Sequence, residues 1–224
     1  MLNKSRKIFP AISIINIKTK TYNWINKIKT IIKIQKIQKN HTSKLKSWID
    51  PRLEARNSPI QGKGIFTKSS IKKGEKIMIW AGKVVIQAKK NKSIAIDEGL
   101  YLGGSIKDYP DKYSQDKHPL NKHDLSLSAC INHSCNSNIW MDNEITFSAK
   151  KNIKANEELT IDYAMISVDP EWSITKCNCN SKFCRGIWKG DDYKKPELQK
   201  RYKNHFSPFL NKKIEKLKTL LLKS

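Results

Sequence analysis

A chain of 224 residues, 38% of them apolar, can bury the core of one domain of ordinary size without disulfide support, so one catalytic unit is the ceiling. Lysines interrupt every isoleucine-rich stretch before it nears the roughly 18 apolar residues of a membrane span, which predicts a soluble chain with no such span. The formal charge of +24 is uneven: residues 1–49 hold 12 Lys or Arg and no acid, residues 191–224 hold 10 against 4, and the long middle is close to ordinary.

Of the 44 basic residues, 39 are Lys. An AT-rich codon composition produces that bias as readily as a selected nucleic-acid or membrane surface does, because base-specific DNA readers lean on Arg. Charge alone therefore names no partner.

Residues 1–51 read as a basic N-terminal extension. Ile25, Ile28, Ile32 and Ile37 recur at near-helical spacing among lysines, which predicts a weak amphipathic helix. A flexible arm, a transit peptide and a surface-binding helix all fit this stretch, although scarce Arg and Ser count against the transit peptide. From Pro59 to Val85 the pattern is strand, turn, strand: Gly62 and Gly64 flank Lys63, an apolar run starts at Ile65, Lys73-Gly74 turns the chain, and Ile77 to Trp80 resumes it. This predicts a β-hairpin. Residues 87–125, interrupted by Gly103-Gly104, Pro110 and Pro119, read as an insert of short strands and loops. Further strands are expected over Ile139–Phe147 and Leu159–Tyr163. The segment from Pro196, ending in Phe209, Leu210, Ile214, Leu217, Leu220 and Leu221, predicts a helix whose apolar face packs on the domain.

Five cysteines are present, and Cys177, Cys179 and Cys184 supply three thiolates within eight positions. The odd number and the CxC spacing argue for a metal in a reducing, intracellular setting over a disulfide framework. Zinc takes four ligands, and Cys130, Cys135 and five histidines are the candidates for the fourth. Two other segments are less specific when each is taken alone. Asn132-His133-Ser134-Cys135-Asn136-Ser137-Asn138 reads as a loop of turn-formers, and Glu157 to Tyr163 as an ordinary strand ending in a packed tyrosine.

Taken in order, these segments resemble the SET-domain family. The resemblance runs from the Gly62-Lys63-Gly64-Ile65-Phe66 turn and the Gly74 to Gly82 hairpin to Asn132-His133-Ser134-Cys135 with Asn138. It continues through Glu158 to Tyr163 and ends in the post-SET triplet with Arg185-Gly186. The Tyr101-Leu102-Gly103-Gly104 insert and the tail look more like small bacterial SET proteins than large chromatin enzymes.

The resemblance implies a mainly β fold with α/β elements: small sheets around a pseudoknot, a post-SET zinc loop and a C-terminal helix. It implies a SET catalytic domain over 52–165, a zinc motif over 166–190 and a basic helical tail over 191–224. The activity it implies is methyl transfer from S-adenosylmethionine to a lysine of a protein substrate, histone-type or other. Tyr163 would be catalytic, and Gly62, Lys63, Gly64, Asn132, His133 and Tyr163 would bind the cofactor. Trp80 and Ile161 would line the lysine channel. Cys135 would complete one structural zinc site with Cys177, Cys179 and Cys184, leaving Cys130 free.

The implied location is the cytoplasm, or the nucleus or chromosome of a eukaryotic cell, with the basic tails meeting chromatin or nucleic acid. Three residues depart from the family pattern: Ser137 replaces a proline, Trp80 a tyrosine and Ile161 a Phe or Tyr. The last two alter the channel's volume and hydroxyls, and with them the degree of methylation. Two rival readings are a basic zinc-containing nucleic-acid-binding protein, which would take up no S-adenosylmethionine, and a SET pseudoenzyme acting as an interaction module. Intact Tyr163, Asn132 and His133 count against the second.

Overall fold

The computed structural model describes Ile32 and residues 48–80, 84–85, 93–103, 130–143, 145–169 and 171–222. The expected N-terminal helix, apart from Ile32, and the expected insert over 87–125, apart from 93–103, lie outside these residues. Two four-stranded sheets carry the fold. The first orders β1 (Trp48–Ile49), β4 (Lys76–Ile79), β10 (Thr146–Ala149) and β9 (Ile139–Met141), all antiparallel. The second orders β2 (Leu53–Asn57), β3 (Lys63–Thr67), β11 (Glu158–Ile161) and β8 (Asn132–His133), and its last pair is parallel. Beside them lie a three-stranded sheet of β5 (Val84–Val85), β7 (Leu100–Gly103) and β6 (Ser93–Asp97), and a two-stranded pair of β12 (Ser173–Ile174) and β13 (Trp188–Lys189). The architecture is mainly β, as the residue pattern predicts.

One expectation needs correction. The apolar runs on either side of Lys73-Gly74 do not pair as a hairpin: β3 joins β2 and β11, whereas β4 joins β1 and β10. Alternation identifies a strand without naming its partner. The hairpin is β2–β3, closed by Ser58 N–H donating to Gly62 O at 2.8 Å. Gly74, at φ +83, turns the chain toward β10, and its N–H donates to Ala149 O at 2.8 Å.

The folded unit also begins before residue 52. Trp48 and Ile49 pair with β4, and buried Asp50 grips Arg52 through both its carboxylate oxygens. Arg52 then reaches Glu75 at 2.6 Å, pinning the entry strand to the start of β4.

The main core joins Ile65, Ile77, Met78, Ile139, Phe147 and Leu159 of the two large sheets to Tyr202, Phe206, Leu210 and Ile214. Each such burial contributes about 1.5–3 kcal/mol against an exposed side chain. The C-terminal segment is therefore part of this core. Its helices are α1 (Pro196–Arg201) and α2 (Pro208–Leu221), and Ser207 caps α2 by accepting the Leu210 N–H at 3.3 Å. The apolar face of α2 is buried at Leu210 and Ile214, while Leu220 and Leu221 are exposed.

Candidate active site

The site forms where β8 lies parallel to β11, with Asn132 opposite Thr160 and His133 opposite Ile161. Asn138 fastens the two segments as an extra strand residue would. Its side chain donates to Glu158 O at 2.7 Å and accepts from Thr160 N–H at 2.8 Å. The crossing brings together residues that the chain separates, and it aims them at the glycine turn.

The amide nitrogen of buried Asn132 lies 3.1 Å from Gln61 O, 3.1 Å from Lys63 O and 2.8 Å from Glu158 Oε1. Two hydrogens cannot serve three acceptors, so this corner keeps acceptor capacity for a ligand that donates. Glu158 reaches the corner because residue 64 is glycine: a Cβ there would stand 2.1 Å from Glu158 Oε1. Ser58 Oγ donates to the same carboxylate at 2.8 Å. Gly62 sits at φ +50, a backbone conformation that glycine adopts without steric cost. Lys63 faces away, its ammonium donating to Asn57 Oδ1 at 2.6 Å, so it offers this corner only its carbonyl.

His133 is buried, and the backbone N–H of Tyr163 donates to its Nδ1 at 3.2 Å. That bond fixes the ring proton on Nε2, which faces Cys135 Sγ at 3.3 Å. Burial lowers the imidazole pKa to about 4, with Arg185 assisting and Asp162 opposing, so the ring is neutral at ordinary pH. Both ring nitrogens are engaged within the protein. What His133 offers the cleft is therefore its ring face or backbone.

The Tyr163 hydroxyl donates to Ile131 O at 2.8 Å, and the ring packs 5.1 Å from Trp172, 5.5 Å from Trp188 and 5.2 Å from His133. Burial, with Cys130 and Glu158 nearby, pushes its pKa up, so the phenol stays protonated. A cleft opens beside it. Gln61 of the glycine turn, His133 and Tyr163 of the crossing, and Lys176, Cys177 and Asn178 of the cysteine loop all border it. Asn178 donates to Ile60 O at 3.4 Å, joining the loop to the glycine turn across the cleft. Trp80 packs against Phe147 at 6.1 Å, and Ile161 is closed within the core. Neither borders the cleft.

Cys135 from the crossing meets Cys177, Cys179 and Cys184, with all four sulfurs within 4.8 Å of one another. Tetrahedral zinc–sulfur bonds of about 2.3 Å place sulfurs about 3.8 Å apart, so the cluster needs only a small contraction to hold the ion. Backbone N–H groups of Arg185 and Gly186 donate to Cys135 Sγ and Cys184 Sγ, each at 3.4 Å, an environment that suits thiolates. Burial pushes the Cys135 thiol up to about 11. Burial also raises Cys179, but backbone donors and the neighbouring thiols outweigh it and bring that group down to about 7. Four thiols without a cation resist joint ionisation; a divalent ion reverses that balance. Cys130 stands apart from this cluster.

Asp162, with no exposed surface, takes both arms of Arg185 at 2.7 and 2.8 Å and the Tyr202 hydroxyl at 3.1 Å. Burial alone would raise its pKa, but Arg185 and His133 bring it below the ordinary carboxylate value. The Asp162–Arg185 pair lies between the crossing and the cysteine loop.

Residues 62–164 match the family described as SET domain. That stretch is similar to a SET domain. Among its curated relatives is the histone-lysine N-methyltransferase ATX2 of Arabidopsis thaliana, 27% identical over 150 residues, which cover 64% of this chain and 13% of that protein. An H3 lysine-9-specific SUVH1 of Nicotiana tabacum is 29% identical over 154 residues, 61% of this chain and 22% of that protein. The chain thus spans less than a quarter of the length of either relative. Among solved structures, the methyltransferase domain of human SETMAR is similar at 20% identity and a TM-score of 0.44, covering 62% of this chain and 58% of that one.

The matched stretch holds the glycine turn, the crossing and Tyr163, while the cysteine loop and C-terminal segment follow it. Sequence reasoning missed Asp162, Trp172, Trp188, Tyr202 and the Glu158–Ser58 support. Asp162 and Arg185 stood inside quoted motifs, which was signal enough to pair an acid with a base. Trp172, Trp188 and Tyr202 carried no local signal.

Proposed function

We propose that this chain transfers a methyl group from S-adenosylmethionine to a lysine side chain of a protein, with one zinc ion bracing the cysteine loop. The observation that carries this reading is Tyr163, whose protonated hydroxyl is anchored to Ile131 O beside a cleft shared with the glycine turn and the cysteine loop. S-adenosylmethionine supplies, when bound, an electrophilic methyl on a positive sulfonium. The corner of Asn132, Gln61 O, Lys63 O and Glu158 has an acceptor to spare for its ammonium group.

A free lysine has a pKa of about 10.4 and cannot attack while charged. The Tyr163 ring, backed by Trp172 and Trp188, gives the cleft an apolar side that disfavours the charged form of an entering amine. Having donated its proton to Ile131 O, the Tyr163 hydroxyl keeps lone pairs that accept an N–H and aim the nitrogen. No carboxylate or histidine is needed as base, and His133 is held neutral by burial. Four thiolates leave zinc no open position, so its part is structural.

The substrate class follows the relatives: histone tails and other lysine-bearing proteins, met inside the cell and at chromatin, with the basic tails contacting acidic partners. Among the described residues no helix is long and apolar enough to cross a membrane.

Labelled S-adenosylmethionine with a peptide array, read by mass spectrometry, tests the reading. Tyr163→Phe should fold and bind cofactor, while its rate under saturating cofactor falls at least about 100-fold, the cost of an amine misplaced by about 1 Å. A parental rate with unchanged cofactor affinity removes Tyr163 from the mechanism. Salt-sensitive nucleic-acid binding without uptake of S-adenosylmethionine selects the binding-protein reading.

A further inference from the structure

The C-terminal segment lies beyond the matched SET domain, yet it reaches the residue next to Tyr163. Tyr202 is fully buried, and its hydroxyl donates to Asp162 Oδ2 at 3.1 Å. Arg185 donates to both oxygens of that carboxylate, and Ala164 N–H donates to Oδ1 at 3.1 Å. These four donors fill the four acceptor positions of an ionised carboxylate. Buried Asp192 accepts from Arg185 Nε at 3.0 Å and is held in turn by Lys195 at 2.8 Å. Arg201, beside Tyr202, donates to the carbonyl of Cys135 at 2.9 Å. Residues 192–202 therefore hold the carboxylate before Tyr163, the guanidinium after Cys184 and the backbone of a cysteine in the metal-binding cluster.

Asp162 caps the 3-10 turn Tyr163–Met165, so the orientation of its carboxylate sets the direction in which the turn leaves β11. Removing the Tyr202 hydroxyl empties one acceptor position in a site closed to water, and the carboxylate is then free to rotate toward Arg185. The turn moves with it, and the Tyr163 hydroxyl moves with the turn. We infer that Tyr202 is a positioning residue for methyl transfer, acting through Asp162 on Tyr163. This rests on the role proposed for Tyr163. Nothing in the sequence motifs assigns Tyr202 a part, and its burial alone would make it a packing residue.

The test uses the full chain as Tyr202→Phe, Tyr163→Phe, the double variant and Ser207→Ala. The last removes the cap of α2 and has no hydrogen bond to Asp162 or Arg185. Five quantities are measured: kcat and KM on a peptide that the parent chain methylates, zinc content, the melting temperature, and the tryptophan bands of the near-ultraviolet circular dichroism without cofactor or substrate. Of the six tryptophans that contribute to those bands, Trp172 and Trp188 pack on Tyr163.

Tyr202→Phe should lower kcat roughly 10-fold with KM and zinc content unchanged, and it should alter the tryptophan bands. Its effect on kcat should vanish when Tyr163 is already Phe, because the two residues act in series. Ser207→Ala should lower the melting temperature and spare kcat. An unchanged kcat overturns the inference, as does an equal fold-loss in the Tyr163→Phe background or the same loss in Ser207→Ala. If the parent chain methylates nothing, the role of Tyr163 falls first. The tryptophan bands then decide the positioning alone, and their constancy in Tyr202→Phe overturns it.

Discussion

The β8–β11 crossing and the cysteine loop meet at Cys135 and Asp162, but they are held by different means. Main-chain pairing, the Asn138 side chain and a buried apolar layer fix the crossing, and most of its residues are closed to water. The loop has the two-residue strands β12 and β13, a few turn bonds such as Cys177 N–H to Gly186 O, and the anchors of Arg185 and Trp188, with Phe183 and Ile187 exposed. Burial can specify the first; the second, whose three sulfurs meet Cys135 of the crossing, would take one arrangement from the proposed ion. A cleft built between two such parts inherits the stability of the weaker one.

Metal removal should break the comparison most visibly. Chelation, or Cys179→Ser, should unfold the loop and abolish the Trp172–Trp188 signal while the sheet signal in the far ultraviolet persists. Equal loss of both signals would mean that loop and crossing fold as one unit. Cys130→Ser should leave the zinc content intact. Asp162→Ala comes next, because it leaves two N–H groups of Arg185 and the Tyr202 hydroxyl without their acceptor inside the protein, with only Asp192 still holding Arg185 Nε. Breaking a buried pair in this way costs about 3–5 kcal/mol, to be read as a fall in the denaturant midpoint.

Gly64→Ala sharpens the comparison from the crossing's side. Its new methyl would meet the Glu158 carboxylate, at an overpacking cost of about 1–3 kcal/mol. Zinc content should hold while cofactor affinity falls. The smallest effect is expected far from both regions, at Asp50. Burial raises its pKa, but Arg52 outweighs burial and the folded value lies below the ordinary 3.8. The stability this contributes is complete above 3.8 and is lost as pH falls through the folded value. Melting temperatures at successively lower pH should therefore drop more steeply in the parent than in Asp50→Asn.

What could be read from the chain divides along the same line. The strands, the glycine turn and the metal-binding triplet were legible because each is a local pattern of a few residues. Resemblance, more than spacing, selected Cys135 over Cys130 as the fourth sulfur, and the structure places Cys135 within the cluster. The partner of β4 was not legible, since an apolar run of Ile77 to Ile79 pairs equally well with any exposed edge. Tyr202 was not legible either. Its meaning comes from a contact forty positions away, and a lone tyrosine in a charged segment carries no mark of it.

The filled carboxylate of Asp162 also bears on the order in which this protein can assemble during synthesis. The strands of both large sheets lie before residue 162, so their pairing can begin as soon as β11 has left the ribosome. Asp162 at that moment is a buried charge without its principal partner, and Arg185 arrives about two dozen residues later. At typical elongation rates of roughly 5–20 residues per second, the nascent chain spends about a second or more with the crossing formed and its central acid uncompensated. A nascent chain that has made the SET strands but not residues 185–202 should hold its crossing loosely and be an attractive client for a chaperone. A stretch made after these strands is the one that locks the site.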